Sequence, residues 1–581
     1  MTLTVLDWAL IASYFAASLA IGVYYSRRGG RNVGEYFLSG RSLPWWLAGT
    51  SMVATTFAAD TPLAVAGLVA RNGIAGNWIW WNGALGGMLT VFFFARLWRR
   101  AGILTDVEFA ELRYSGRPAA LLRGFRALYL GIPINCVIMG WVNLAMAKIL
   151  AITMGWDRLT AVFISLAVTG FYSALSGLWG VVVTDFFQFA FAMGGTIALA
   201  WFALRLPEIG GLSGLQQKLP PETFEFLPRI GDATPAEAGA TLALPAAAFL
   251  AYVGVQWWAS WYPGQEPGGG GYVAQRMMSA KDERHSLLAT LWFTVAHYCV
   301  RPWPWILVGL ASLVLYPDLV DKESGYVMVM RDHLPAGWRG LLLGAFFAAY
   351  MSTIATQLNW GTSYVVNDVY RRFVRRDGTE RHYVWVSRVT TILLMIASGI
   401  VTFYLESIRQ AWEFVLESGA GIGLVLILRW YWWRVNAWSE ISAMVAAAAG
   451  FAGIRLFTDL RFPDSLLLVV AMTTVAWLAV TMATKPEPDE HLVAFYRRTR
   501  PDGPGWAPVA ARAGGPAPRP IGGLLVDWLA GGVLVYATLF GLGALLLGRA
   551  AHGAAWLAAA AAAGAIIYRD LSRRGWETIT S

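Results

Sequence analysis

Long apolar segments recur along almost the whole of this sequence, and they constrain its fold more than any other feature. Each is about 20 residues long, which is the length of α-helix that crosses the hydrocarbon core of a bilayer. Of the 581 residues, 57% are hydrophobic and only 14% are charged, whereas a soluble chain of this length normally carries more surface charge. The sequence therefore predicts an all-α polytopic membrane protein.

Apolar windows predict about fifteen transmembrane helices, thirteen before a polar segment and two after it. The predicted spans are 4–24, 44–71, 77–97, 121–152, 157–176, 180–205, 240–262, 285–316, 338–366, 383–405, 411–432, 437–457, 464–484, 524–546 and 551–568. Arginines and lysines concentrate in alternate loops, which also explains the net charge of +9 without a nucleic-acid partner. Because cytoplasmic loops carry this excess, we expect a plasma (inner) membrane protein with the N-terminus outside and the C-terminus in the cytoplasm.

The second predicted span contains a stretch, SMVATTFAADTPLAVA at Ser51–Ala66, that cannot form an uninterrupted helix. Pro62 lacks a backbone N–H, clashes with the carbonyl four residues earlier and disfavours helical geometry at Thr61. A lipid-facing helix does not tolerate such a break, so this backbone must line a cavity enclosed by protein. Together with Asp60 it indicates half of an ion and solute site. The alternative is a packing kink with Asp60 near an interface.

Hydroxyl side chains line one face of the ninth predicted span, in AAYMSTIATQLN at Ala348–Asn359. Ser352, Thr353 and Thr356 are spaced so that they share a helix face. Their oxygens could complete the ligands of a small cation held by carbonyls at a helix break. The alternative is that the hydroxyls bond to their own helix or join neighbouring helices, as is common in membranes.

Two charged residues lie inside other apolar segments. Asp185, in WGVVVTDFFQF near the start of the sixth span, suggests a functional role, because an intramembrane carboxylate is costly unless it is paired, protonated or near water. The alternative is an interfacial aspartate that the helix dipole favours. Arg301, in HYCVRPWPW, needs a partner or a cavity for the same reason, and we consider it as a solute contact.

The seventh predicted span ends in VGVQWWASWYPGQEPGGGGYVAQR, which indicates a second interrupted helix. Gly254, Pro263 and a run of glycines weaken the helix, while Trp257 and Trp258 bring large rings to the same place. Stacked aromatic rings line a solute pocket in one interpretation and belong to the interfacial belt in the other.

The two interrupted helices lie five spans apart, which suggests two five-helix units that each begin with a broken helix. An odd number of helices makes the second unit insert upside down, and this is the inverted-repeat design of secondary transporters, with the site near the midplane. The predicted divisions are an N-terminal helix and loop, the first repeat, an extracellular loop, the second repeat, two further helices, a flexible cytoplasmic linker and two C-terminal helices: 1–43, 44–205, 206–239, 240–432, 433–484, 485–523 and 524–581.

Residues for enzymatic chemistry are scattered rather than clustered. The six histidines lie far apart, the two cysteines are in apolar segments, and there is no HExxH or GxxxxGK[ST] motif. Metalloprotease and ATP-driven pump interpretations therefore lose support, and we expect neither an enzyme nor a bound cofactor. A membrane sensor of sodium and solute that no longer transports is the remaining alternative from another class.

Several spaced motifs resemble the sodium:solute symporter family. They are GEYFLSGRSLPWW at Gly34–Trp46, TDFFQ at Thr184–Gln188, QRMMSAKD at Gln275–Asp282 and MSTIATQLN in the ninth span, and the likeness extends over about residues 5 to 485. The resemblance implies a leucine-transporter-like fold, with five plus five inverted helices and one extra helix in front. It also implies a symporter whose coupling ion is sodium.

The resemblance further implies positions for the ion. The main sodium site would take backbone carbonyls and two side-chain hydroxyls, from Ala54, Phe57, Ala349, Ser352 and Thr353. Some members have a second sodium site on the sixth-span aspartate and a later ninth-span hydroxyl. Here these residues are Asp185 and Thr356, which alternatively form a path for the ion to the cytoplasm. Proton coupling is the alternative to sodium.

The solute is expected to be a small polar organic molecule. Candidate contacts are Asp60, Thr56, Gly254, Trp257, Trp258 and Arg301. Asp60 would favour a cationic or hydroxyl group and Arg301 a carboxylate, so together they fit a zwitterion, an amino acid such as proline. The residues after the helix break differ from those of the family's sugar carriers and proline carriers alike. The solute therefore stays open, and a sugar or a carboxylate is the alternative.

Overall fold

In this computed structural model the described residues are 3–29, 35, 38–173, 178–228, 246–262 and 266–576. Three features of the sequence, namely Gly34, Pro263 and the later part of the predicted extracellular loop at 229–239, lie outside them. Helices occupy each segment that the sequence predicts as a span.

The helices are numbered here by predicted span, and a letter marks each half of a broken one. They are α1 Val5–Gly29, α2a Trp45–Thr56, α2b Asp60–Asn72, α3 Ile74–Ala101, α4 Gly116–Met154, α5 Arg158–Ser173, α6 Leu178–Leu204, α7a Ala246–Ala259, α7b Gly271–Ser279, α8 Glu283–Leu315, α9 Trp338–Val374, α10 Glu380–Thr402, α11a Ile408–Ser418, α11b Gly423–Tyr431, α12 Ala437–Phe457, α13 Asp464–Ala483, α14 Gly522–Leu546 and α15 Ala550–Arg574.

The number of membrane spans is lower than fifteen when length and composition alone are applied. Among the described residues, 11 helices are long and apolar enough to cross a bilayer, or up to 12 if the bent pair α2a and α2b is one span. The other predicted spans are α5 and α7a, which are shorter apolar helices, and α11, which is divided into two short halves. The all-helical polytopic fold class is confirmed, and the count of fifteen stays a prediction.

The helix α2 is broken where the sequence predicts a break. The axes of α2a and α2b differ by 61°. Pro62 lies in the first turn of α2b, where a backbone N–H has no intrahelical acceptor, so the proline is compatible with the start of this helix. The break therefore ends α2a early and leaves its last carbonyls without a full set of helical partners.

The helix α7 is also broken, but the break lies after Gly254, one of the residues that the sequence suggested would weaken it. Gly268, Gly269 and Gly271 have φ angles of +88°, +79° and +54°, which glycine adopts without strain, and they precede or begin α7b. Gly254 instead lies inside a π-helical turn at Tyr252–Gln256, so this glycine does not end the helix.

The half-helix α2a lies deep inside the molecule. It packs against α6, α8 and α9, and α7b lies beside it. Every residue of α2a from Leu47 to Thr55 is buried. Contacts on all sides explain why this helix is apolar around most of its circumference and why its few polar side chains need partners inside the protein.

The segment 485–523 is folded, so the prediction of a flexible linker was wrong. Short helices form at Asp489–Thr499 and Ala507–Arg512, and Trp506 between them is fully buried. The Trp506 indole donates to the carbonyl of Trp430 at 2.7 Å. The proline, glycine and charge content suggested disorder, but aromatic residues within the segment supply the apolar burial that a disordered segment lacks.

The last two helices, α14 and α15, pack against each other, and α14 runs along α3 and α8. The Trp528 indole donates to the carbonyl of Leu85 at 2.9 Å, and the Tyr536 hydroxyl donates to the carbonyl of Trp81 at 3.0 Å. A Cβ added at Gly531 would lie 2.8 Å from side-chain atoms of α3, so glycine permits this close approach. The hairpin formed by α14 and α15 is thus attached to α3, which forms part of the wall of the central cavity.

Candidate functional site

A cavity lies between the broken helices α2 and α7, and it collects most of the polar side chains that the sequence singles out. Its volume is about 1000 Å³, including open solvent at its mouth. The polar and aromatic side chains of its wall include Thr56, Asp60, Trp80, Trp141, Gln256, Tyr262, Tyr272, His297, Arg301, Gln357 and Trp412. A concave site of mixed aromatic and polar character suits a small polar solute.

The C-terminal end of α2a faces the hydroxyl side of α9. Thr353 Oγ1 donates to the carbonyl of Thr55 at 3.0 Å, which joins the two helices directly. The carbonyl of Ala54 accepts a hydrogen bond from the N–H of Phe57 at 3.0 Å. Ala349 is buried one turn before Thr353 on α9. This region presents carbonyl and hydroxyl oxygens at a helix break, which is the type of ligand that suits a sodium ion.

Asp185 is fully buried and is held by two hydroxyls. Ser51 on α2a donates to its Oδ2 at 2.6 Å, and Ser352 on α9 donates to its Oδ1. Arg276 on α7b adjoins the same cluster, with Nε 3.4 Å from Ser51 Oγ and Nη2 3.4 Å from Thr356 Oγ1. Asp185 is therefore a hydrogen-bonded carboxylate in the interior, and not an interfacial residue.

Two members of this cluster, Ser51 and Arg276, are not among the site residues that the sequence predicts. Arg276 is 1% exposed because every residue of the short helix α7b is buried, whereas the sequence suggested a loop between two spans at this position. Its partners could not be identified from sequence, because they come from helices far apart in the chain.

Asp60 is the first residue of α2b and lies on the cavity wall with 3% of its surface exposed. Its Oδ1 has no hydrogen-bond partner within the described part of the chain. A buried carboxylate oxygen nearly always has a partner, so this atom is placed where a ligand or water can supply one. The N-terminus of α2b favours the negative charge and offsets part of the cost of burial.

Arg301 lies on the cavity wall with 1% of its surface exposed. Its Nη1 donates to Thr56 Oγ1 at 3.0 Å, and its Nη2 is 3.3 Å from His297 Nε2. Since a guanidinium can only donate, His297 accepts at Nε2 and carries its proton on Nδ1, which is 3.0 Å from Thr56 Oγ1. The Thr56 hydroxyl in turn donates to the carbonyl of Val53 at 2.9 Å. Arg301 is thus linked to the end of α2a through Thr56.

Asp60 and Arg301 line the same cavity, but within the described residues they do not form an ion pair with each other. A helix dipole offsets part of the cost of burying each charge, because Asp60 lies at a helix N-terminus and Arg301 lies beside the C-terminal end of α2a. The cavity therefore presents one negative and one positive group to a solute.

Two predicted solute contacts, Gly254 and Trp258, lie away from the cavity, so that prediction was wrong for them. The Trp258 indole donates to the carbonyl of Gly254 at 2.7 Å, and this contact is exposed. The two residues are one turn apart on the outer face of α7a, whereas Trp257 lies on the cavity side.

The amides of the cavity and most of its aromatic side chains are not among the predicted solute contacts. Gln357 on α9 has a buried Oε1 without a partner in the described chain, and Gln256 donates to the carbonyl of Ile79 at 3.1 Å. The rings of Trp141 and Tyr262 are stacked, with centroids 6.3 Å apart. Glutamines and tryptophans are common in membrane helices, so their identity alone did not indicate which of them face a cavity.

Comparisons with known proteins agree on one group. The model of the sodium:solute symporter family matches residues 36–449. Sodium/glucose cotransporter 4 of Danio rerio is 26% identical over 555 residues, which covers 86% of this chain and 82% of that protein. The sodium/glucose cotransporter of Vibrio parahaemolyticus is 25% identical over 524 residues, which covers 84% of this chain and 92% of that protein.

A solved structure is similar to the chain in fold. It is a Na+-coupled sialic acid symporter in a substrate-bound outward-open state, with a TM-score of 0.66 and 20% sequence identity. The match covers 84% of this chain and 99% of that one. The shared architecture is the leucine-transporter-like fold, which confirms the fold that the motifs implied.

Proposed function

This chain belongs to the sodium:solute symporter family, and from that premise we propose that it imports a small zwitterionic solute together with sodium by alternating access. Family membership makes it an integral membrane transporter coupled to sodium, and not an enzyme. The observation that supports the choice of solute is the placement of Asp60 and Arg301 on one cavity wall without an ion pair between them.

In this proposal the coupling sodium binds between α2a and α9. Its ligands would be the carbonyls of Ala54, Phe57 and Ala349 with the hydroxyls of Ser352 and Thr353. The hydrogen bond from Thr353 to the carbonyl at the end of α2a supports this placement, because it brings the two sets of oxygens together. Sodium would then fasten the first repeat to the second and order the adjacent cavity wall.

Asp185 and Thr356 are assigned to the path by which sodium leaves toward the cytoplasm. Arg276 already brings a positive charge within 3.4 Å of Thr356 Oγ1, which disfavours a second resident cation in the same cluster. The carboxylate of Asp185 remains an attractive point of passage for a single ion.

The zwitterionic solute would place its ammonium group near Asp60 and its carboxylate near Arg301. The unpartnered Oδ1 of Asp60 would accept from the ammonium group, and the guanidinium of Arg301 would donate to the carboxylate. Aromatic rings such as Trp80 and Trp141 would enclose the apolar part of the solute.

A sugar is the second candidate, and a specific set of side chains favours it. Gln256, Gln357 and Asn82 line the cavity together with several aromatic rings, and amides beside rings suit a polyhydroxylated molecule. Similar proteins are named sodium/glucose cotransporters, which points the same way. Hydroxyl groups of a sugar could also donate to Asp60.

The driving force comes from sodium entry. The membrane potential contributes about 2.3 kcal/mol per charge for each 100 mV, which supports roughly fiftyfold accumulation per sodium ion at 100 mV. Coupling requires that sodium and solute raise each other's affinity by the same factor. We propose that the break in α2 provides this coupling, because Thr56 connects the ion-facing end of α2a to Arg301 on the cavity wall.

The test is uptake into proteoliposomes with an inward sodium gradient, using labelled proline, other neutral amino acids and labelled glucose. Sodium-dependent accumulation of an amino acid supports the zwitterion, whereas accumulation of glucose alone replaces it with the sugar. Binding of solute, measured by thermal shift, without any flux would contradict transport and favour a sensor.

Matched variants separate the two solute classes. Asp60→Asn is expected to weaken uptake of either solute, because both could donate to the carboxylate. Arg301→Gln is expected to abolish uptake of the amino acid, and it should change the binding of a sugar, measured by thermal shift, much less, since only the zwitterion carries a carboxylate. If neither variant alters transport of any solute, the proposed contacts are wrong.

A further inference from the structure

Glu323 is a buried acid in the loop between α8 and α9, on the side that the distribution of arginines predicts to be extracellular. Only 2% of its surface is exposed, although it lies in a connecting segment. Lys148 near the end of α4 contacts its Oε2 at 2.7 Å and also contacts Asp321 at 3.0 Å. Burial by itself raises the pKa of Asp321, but Lys148 and hydrogen bonds from the Ser324 hydroxyl and the Glu323 N–H hold that pKa below its usual value. This loop therefore carries negative charge at neutral pH.

The carboxylate of Glu323 also holds the N-terminus of α11a. Its Oε1 accepts from the hydroxyl of Ser407 at 3.1 Å and from the N–H of Arg409 at 3.2 Å, and its Oε2 lies 3.5 Å from the N–H of Ile408. The first N–H groups of a helix have no intrahelical acceptor, and a carboxylate at that end is favourable. Here the acceptor comes from a different part of the chain, so it ties α11a to the loop.

A third element, α2b, meets the same residue at Gly67. A Cβ added to Gly67 would lie 3.1 Å from Glu323 Cγ and 3.3 Å from its backbone, so the absence of a side chain allows this approach. Glu323 thus connects the outer half of the broken helix, the end of α4 and the start of α11a.

The position of α11a explains why this connection matters for access to the solute cavity. Trp412 and Leu416 on α11a both line the solute cavity. Trp412 and Ile79 also line a smaller space that reaches Glu323, about 260 Å³ when adjoining open solvent is counted. A movement of α11a away from α2b would widen this path toward the predicted extracellular side, and it would break the contacts of Glu323 with α11a.

We propose that Glu323 is the latch of the outer gate: with Lys148 it holds α11a against α2b while the cavity is closed to the outside, and it releases α11a when the outside opens. The proposal rests on the proposed alternating access. It assigns a role to residues that contact neither the sodium site nor the solute cavity.

The test measures access to the cavity and does not require the solute to be known. Both natural cysteines, Cys136 and Cys299, are buried and are replaced by serine, and Ile79→Cys supplies a single target on the route. Proteoliposomes without sodium are treated from outside with a membrane-impermeant methanethiosulfonate reagent. Glu323→Gln and, separately, Lys148→Met are expected to increase the labelling rate on the order of fivefold, because each removes the ion pair that favours the closed gate.

Asp332→Asn is the matched control. Asp332 lies in the same loop region and pairs with Arg331 at 2.6 Å and with Tyr316 at 2.7 Å, and neither partner belongs to α11a. The labelling rate should therefore stay at the parent value. An unchanged rate in Glu323→Gln and Lys148→Met, or an equal rise in Asp332→Asn, overturns the latch.

The proposal can still be tested if one of the variants does not fold. If Glu323→Gln is not monodisperse in detergent, Lys148→Met decides, because it weakens the latch by removing the ion pair alone and is the milder change. Failure of the proposed function is seen separately, as absence of sodium-driven uptake by the parent protein. Labelling reports only whether the gate opens, so the two results are independent.

Discussion

The two sides of the break in α2 are built in opposite ways. On the ion side, polar side chains satisfy one another: both oxygens of Asp185 accept from serine hydroxyls, and Thr353 donates to the carbonyl of Thr55. On the solute side, buried polar atoms lack partners within the described residues. These atoms are Thr55 Oγ1, Asp60 Oδ1, Ser260 Oγ, Gln357 Oε1 and Trp412 Nε1.

This difference indicates how tightly each side specifies its ligand. Oxygens fixed by mutual hydrogen bonds form a rigid set that suits one small ion. A buried polar atom without a partner costs about 1–3 kcal/mol, which is recovered when a solute supplies the missing hydrogen bond. The solute side is thus the adaptable part of the site, and changes on the two sides should have different consequences.

The largest expected effect is that of Asp185→Asn, which disrupts the hydrogen-bonded cluster on the ion side. The change removes the acid whose charge acts on the buried Arg276 guanidinium, and a buried charge without such compensation lowers stability. We expect sodium-driven uptake to be lost and the thermal unfolding temperature to fall. Uptake and a thermal scan of the purified protein measure the two outcomes.

A double variant tests whether the loss of stability comes from the uncompensated charge of Arg276. In Asp185→Asn/Arg276→Gln the buried positive charge is removed as well. The double variant should therefore be more stable than the sum of the two single effects predicts. Additive effects would mean that Asp185 and Arg276 do not act on each other, and the description of this cluster as one unit would be wrong.

The next largest effect is expected for Asp60→Asn, and it should be confined to the solute. A hydrogen bond to a charged group contributes about 1.5–3 kcal/mol, so the apparent solute affinity should fall roughly tenfold to a hundredfold. Stability should fall by less than in Asp185→Asn, because Oδ1 of Asp60 has no hydrogen bond to lose and only its charge interaction with the buried Arg301 is removed. Asp464→Asn is the control, since Asp464 is also the first residue of a helix but lies on α13.

The ion side could be predicted from the sequence to a larger extent than the solute side. Pro62 and Asp60 after two threonines predicted the break in α2, and the recurring hydroxyls from Ser352 to Thr356 predicted a polar side of the ninth span. These are local properties of short segments. The structure brings the two segments together, with Thr353 donating to the end of α2a.

The remaining features depend on contacts between helices that are distant in the chain. No periodicity relates Arg276 to Ser51, or His297 to Thr56, although each pair is in contact. Gly254 suggested where α7 would break, but a π-helical turn absorbed that glycine and shifted the cavity face to Trp257. The side of a helix that faces a cavity is set by packing, which sequence pattern alone does not specify.

A smaller effect is expected for Thr353→Ala. This change removes one proposed sodium ligand and its hydrogen bond, which together should weaken the apparent sodium affinity about fivefold to tenfold. Thr353→Ser keeps the hydroxyl and should retain the parent affinity. Thr362→Ala is the matched control, because Thr362 lies on the same helix and bonds to Thr391 Oγ1 at 2.9 Å. Equal effects at Thr353 and Thr362 would contradict a specific ion site.

The smallest expected effect is that of Trp528→Phe on α14, beyond the residues that match the family model. The Trp528 ring lies against Trp257 with centroids 5.5 Å apart, and its indole donates to the carbonyl of Leu85. Phenylalanine keeps a ring but loses that hydrogen bond, so the wall at Trp257 should loosen while the ion side is unaffected. We expect solute affinity to fall about twofold to threefold with sodium affinity unchanged.

The control for this effect is Trp556→Phe on α15, where the side chain is 43% exposed and lies outside the cavity wall. It should change neither affinity. A fall in sodium affinity in Trp528→Phe would mean that the hairpin supports the whole molecule, and not the solute wall alone. A fall in solute affinity alone would show that the adaptable side of the site extends through Trp257 to α14, whereas the rigid ion side is complete within the two repeats.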